Sequence, residues 1–216
     1  MENALIILFG LTMLYMAATS RMLAHIRILC LQGILLFLIC YFGIAEQSKL
    51  GFLFLAFETL IVKATVIPMF LDKIVKKTHE YRDAEANIPH FYCLFISTII
   101  LFTGFLVSDF NFPAIKMINP VSFGVSISVI IISLLLITIK NKIITNILSF
   151  ITMENGIFLL SLSVVKEMPI IVNLGVLLDL FIAVFILGLM VNSINKKFDG
   201  LEVTHLSDLK DCEYDD

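Results

Sequence analysis

Apolar residues in this chain come in long runs separated by short polar breaks. Seven runs, at residues 3–20, 24–45, 51–71, 90–108, 121–139, 143–165 and 169–192, each approach the roughly 20 residues a helix needs to cross a bilayer. In lipid an open strand edge leaves N–H and C=O groups unsatisfied, so every run is predicted to be a helix. The pattern predicts an all-α, polytopic integral membrane protein of about seven spans. Residues 1–198 would form a single transmembrane domain and residues 199–216 an acidic tail.

Composition agrees: 59% of residues are hydrophobic and 15% charged, where a soluble domain of this size would expose far more charge. The acids Glu202, Asp208, Asp211, Glu213, Asp215 and Asp216 gather in the tail, and no basic arm is present to bind nucleic acid. Cys30, Cys40, Cys93 and Cys212 include no Cys-x-x-Cys pair, which argues against zinc or iron–sulfur ligation in this chain. His25, His79, His90 and His205 fall at helix ends or in loops, which disfavours a membrane haem. Glu2 precedes the first run and Arg21 follows it, a charge order expected of an uncleaved first helix rather than a signal peptide.

Seven spans divide the basic residues between two sides. One side holds Lys49, Lys116 and Lys166. The other holds Arg21, Arg27, Lys73, Lys76, Lys77, Arg82, Lys140, Lys142, Lys196, Lys197 and Lys210, and Lys63, the fifteenth, lies within the membrane. Basic residues mark the cytoplasmic side, so the N-terminus is predicted outside and the C-terminus inside.

The candidate chemistry lies where charge interrupts the runs. The stretch NILSFITMENGIFLLSLSVV carries Glu154 and IIVNLGVLLDLFIAVFILGLMVN carries Asp179, each near the middle of its run. A charged residue there costs roughly 2.5–3.5 kcal/mol on insertion scales, and such residues usually mark an ion or proton path. Merely hydrogen-bonded, protonated acids would do a job open to Asn, Gln or Ser. Gly175 and Ala183, one turn either side of Asp179, would let another backbone approach it, and Ser161 shares a face with Glu154. Lys63 lies near the middle of the third run with Glu58 nearer its outer end. On an α-helix these two are about 140° apart, so Lys63 is expected to face an acid on another helix. Pro68 should kink that helix by freeing the carbonyl of Ala64. Arg27 and Asp72 can reach water and rank below the mid-membrane groups, as does Gln32 as a lining residue. The third run also lays over the seventh, Glu58 near Asp179 and each ending in Lys-Lys, a likeness that chance can give two such helices.

The segments NKIITNILSFITMENGIFLLSL, LLDLFIAVFILGLM, the tail LEVTHLSDLK and VKATVIP of the third run resemble, in order, the component E family of hydrogenase-4. These are membrane subunits of formate hydrogenlyase-type nickel–iron hydrogenases. The last three helices, about 121–195, also look like the K subunit of complex I and the C subunit of multisubunit sodium/proton antiporters. By that resemblance Glu154 and Asp179 match the acids of the last two helices, and Lys63 matches a lysine of the component E pattern. Glu58 has no counterpart assigned, and extends the set toward the external side. The resemblance implies a multi-pass protein of a prokaryotic inner membrane that carries no catalytic residue, cofactor or metal itself. Partner subunits would hold the nickel–iron centre and iron–sulfur clusters, and antiporter-like subunits would pack alongside. A subunit of a cation/proton antiporter and a non-conducting scaffold are the competing readings; neighbouring genes would separate the first of these from a hydrogenase.

Overall fold

A computed structural model describes residues 2–43, 58–78, 89–109 and 119–164. Its elements are helices: α1 (Glu2–Ala18), α2 (Met22–Gly43), a π-helical segment (Glu58–Val66) that continues as α3 (Ile67–Thr78), α4 (His90–Asp109), α5 (Pro120–Ile139) and α6 (Ile143–Val164). Apart from the third, each begins and ends within two residues of its apolar run. The seventh run, with Asp179, and the acidic tail lie outside the described residues.

Four of the described helices are long and apolar enough to cross a membrane: Met22–Phe42, His90–Ser108, Pro120–Ile139 and Ile144–Ser163; α1 is apolar but shorter, at 17 residues. They are apolar around most of their circumference, as helices in lipid or at the centre of a bundle must be. The exception is α3, whose polar face carries Lys73 and Lys76; Lys76 pairs with Asp72 at 2.6 Å, one turn back on an exposed surface. Such a pair contributes only about 0.3–0.5 kcal/mol, and it leaves Asp72 outside the buried chemistry.

The helix ends show where their unsatisfied backbone groups go. Asn119 caps α5 by accepting from the Ser122 amide, and Pro120 opens the helix, where its missing N–H costs nothing. The Asn119 amide also donates to Glu2 (3.3 Å) and to Asn3 (3.4 Å), tying the start of α1 to the start of α5. Between α1 and α2 the buried His25 ring places Nδ1 3.0 Å from the Arg21 carbonyl and Nε2 3.1 Å from the Met16 carbonyl, so one side chain ties the end of α1 to the start of α2.

Helix α1 packs against α2, α4 and α5; α6 packs against α5 and α2; the π segment and α3 lie on α2. Ile6, Phe9, Met13, Leu29, Leu36, Val129 and Leu148 fill the centre. Small residues set the closest crossing. At Gly104 and Gly124 the backbones of α4 and α5 meet, and a methyl group added at position 124 would strike the Gly104 carbonyl. Lipid gives helices no hydrophobic drive to associate, so close packing of this kind is a main source of adhesion. Gly124→Leu should therefore destabilise the protein by about 1–3 kcal/mol through overpacking. Ile131→Leu, on an exposed apolar face, should be close to neutral. Thermal unfolding of both variants in detergent checks the difference.

Candidate functional site

The third apolar run is where the winding departs from expectation. A proline at position 68 in an α-helix would crowd the Ala64 carbonyl and leave it without its partner. Instead the chain is wound as a π-helix through Val66 and becomes α-helical at Ile67, so the irregularity takes the form of wider winding before Pro68. Thr65 Oγ1 donates to the Leu60 carbonyl at 3.1 Å, five residues back. The π winding also corrects the 140° expected between positions 58 and 63: closing i+5 onto i brings positions five apart toward one face. Glu58 opens the segment; its side chain is outside the described residues.

Lys63 is fully buried in the middle of this segment. Its depth depends on Gly33 of α2. A methyl group at position 33 would lie 2.8 Å from both Ala64 N and Cα, so only glycine lets the π segment seat this closely. Lys63 Nζ then sits 4.5 Å from the centroid of the Phe158 ring on α6. An ammonium over an aromatic face is worth roughly 2 kcal/mol or more once desolvated. Glu154, 4% exposed, lies four residues before Phe158 and so one turn away on the same face of α6. The fold thus gathers Lys63 and Glu154, far apart in sequence, around one turn of α6.

Beside them runs a chain of buried uncharged groups. Asn155 Nδ2 donates to Gln32 Oε1 at 3.3 Å. Gln32 Nε2 donates to Thr12 Oγ1 at 2.9 Å and lies 3.2 Å from Met13 Sδ. Thr12 Oγ1 in turn donates to the Phe9 carbonyl at 2.6 Å. Gln32 and Asn155 are both fully buried, and the chain joins α6, α2 and α1. On the other side of α6, Thr152 and Ser133 share a hydrogen bond of 3.1 Å to α5, and Thr152 and Ser149 also donate to carbonyls of their own helix.

Of the residues singled out in the sequence, Lys63 is placed over Phe158, one helical turn from Glu154, Glu58 stands at the start of the same segment, and Asp179 is outside the described residues. Gln32, ranked low in the sequence, lies at the centre of the polar chain; Arg27 is exposed. Thr12 and Asn155 were not picked out. Their signal was available: uncharged polar residues deep in apolar runs, where each polar group has to find a partner. Among the described residues no group of three or more His, Cys, Asp and Glu is placed to hold a metal ion.

The architecture defines a class: a bundle of membrane-length apolar helices with titratable side chains gathered in its interior. Comparison with known proteins narrows this. The chain is 26% identical over 189 residues to hydrogenase-4 component E of Escherichia coli K12, covering 84% of this chain and 82% of that protein. The same figures hold for hydrogenase-4 component E of Shigella flexneri. It is 22% identical over 192 residues to an uncharacterised protein of Mycobacterium tuberculosis, covering 87% of this chain and 86% of that one. No family model matches the chain, and no solved structure matches it.

The Lys63–Phe158 contact makes a direct prediction. A double-mutant cycle with Lys63→Met and Phe158→Leu, read by unfolding in detergent, should give a coupling of about 0.5–2 kcal/mol. A coupling near zero would mean that the ring serves only as packing.

Proposed function

We propose that this chain is a membrane-arm subunit of a hydrogenase complex of the formate hydrogenlyase type, and that it contributes buried ionisable groups to proton translocation. The observation that carries this reading is the gathering of buried Lys63 and Glu154 at one turn of α6 within an apolar bundle. Titratable groups in such a place cost stability to insert, and proton transfer is a reason to keep them. The distant similarity to hydrogenase-4 component E supplies the hydrogenase context. In this reading Lys63, Glu154, Asp179 and Glu58 are the relay groups. The chain is not catalytic alone. It links a peripheral redox module, which holds the nickel–iron centre and iron–sulfur clusters, to antiporter-like subunits.

The full topology belongs to the same proposal: seven spans in the cytoplasmic membrane of a prokaryote, with the N-terminus outside and the C-terminus inside. The hydrogen bonds from Asn119 to Glu2 and Asn3 support it, since they put the starts of the first and fifth spans at one end of the bundle. Reporter fusions after Lys77 and after Lys197 should both read cytoplasmic; an external reading at either would overturn the assignment.

Purification in mild detergent should bring down other membrane subunits with a nickel- and iron-containing module. A stable, metal-free homo-oligomer would refute the hydrogenase context. Glu154→Gln with Asp179→Asn keeps shape and hydrogen bonding while removing titration. In the assembled complex this double variant should retain hydrogen chemistry with an artificial electron carrier but lose most proton movement into sealed vesicles. Undiminished proton movement would reduce both acids to packing residues.

A further inference from the structure

Two adjacent residues of α2 touch both halves of the candidate site. Gln32 accepts from Asn155, which follows Glu154 on α6. Gly33 seats the backbone of Ala64, which follows Lys63 on the π segment. The position of Glu154 and the position of Lys63 are therefore indexed to the same point of the same helix.

The grip on Asn155 is also directional. Asn155 Nδ2 donates to Gln32, Gln32 Nε2 to Thr12, and Thr12 Oγ1 to the Phe9 carbonyl, so each group gives to the next toward α1. Hydrogen bonds aligned head to tail in a low-dielectric interior strengthen one another, and reversing either amide alone would set acceptor against acceptor (Asn155) or donor against donor (Gln32). This fixes which end of the Asn155 amide faces Gln32 and turns Oδ1 the other way, where it has no hydrogen-bond partner among the described residues. Neighbouring residues on an α-helix lie about 100° apart, so holding the Asn155 side chain holds the rotation of the turn that carries Glu154. Simple adhesion between α2 and α6 would need neither this polarity nor the placement of the amide directly after the acid.

We propose that Gln32 and Asn155 are positioning residues that set Glu154 against Lys63 for proton transfer. The proposal rests on the reading of Glu154 as a relay group, and transfer between fixed groups is sensitive to displacements on the order of 1 Å.

The test is infrared difference spectroscopy of the full chain in its native membrane, alongside proton movement into sealed vesicles. The Glu154 band is assigned as the one lost in Glu154→Gln. Gln32→Leu and Asn155→Leu should each displace that band and lower proton movement by about tenfold or more. The reciprocal exchange, Gln32→Asn with Asn155→Gln, keeps an amide on each helix and should restore both. Thr12→Val removes the acceptor for Gln32 with little change in volume and should displace the same band, which keeps the test open if either leucine variant fails to fold. An unmoved Glu154 band in folded Gln32→Leu or Thr12→Val protein would overturn the proposal. If the band moves but Glu154→Gln still moves protons normally, Gln32 and Asn155 do position Glu154 and it is the relay reading that falls.

Discussion

The demand that shapes this bundle is the accommodation of Lys63, an ionisable side chain fully buried among apolar helices. Taking an ammonium out of water is among the most costly steps in folding, and the surroundings must offset it. Several local features serve that end. Gly33 removes the side chain that would hold the π segment away from α2. The wider winding from Glu58 to Val66 carries Lys63 inward ahead of Pro68. Phe158 presents an aromatic face to the Nζ atom. Glu154 lies one turn from that ring, close enough in the helix for a carboxyl group to belong to the same electrostatic site.

The rest of the interior follows from the rule that polar groups in an apolar medium have to be satisfied. Serine and threonine hydroxyls on α5 and α6 return to carbonyls of their own helices, as at Ser126, Ser128, Ser149 and Thr152, and so bring little cost to the apolar core. Gln32 and Asn155 are different. Their amides cross between helices, where each such bond contributes modestly, on the order of 1 kcal/mol. The small-residue crossing at Gly104 and Gly124 brings the backbones of α4 and α5 together, and there Ser128 Oγ also donates across to the Ile100 carbonyl at 3.2 Å. Close backbone packing dominates the contact of α4 with α5, and a chain of buried amides runs beside Lys63 and Glu154 on the side of α2.

Helix content was legible in the sequence because runs of apolar residues have one solution in lipid. The boundaries of α1, α2, α4, α5 and α6 fall within two residues of the runs for that reason. That Glu154 and Lys63 would be buried was legible too, since both fall inside such runs, where charge is expensive. The π winding was not, since Pro68 announces an irregularity without saying which form it takes. Nor was the meeting of Lys63 with the Glu154 turn, because it depends on Gly33, 30 positions earlier in the chain, and a glycine in an apolar run reads the same whether it packs closely or faces lipid. Asn155 was hidden by its neighbour: beside a carboxylate, an uncharged amide draws less notice, although its burial imposes a similar need for a partner.

On the proposed reading Lys63 and Glu154 act as one unit. Proton movement into sealed vesicles, measured for Lys63→Gln, Glu154→Gln and the two together in the assembled complex, tests it most directly. Groups that work as a unit lose their function with the first removal, so the double variant should be no worse than the more damaged single variant. Losses that multiply, as for two independent sites, would contradict the account.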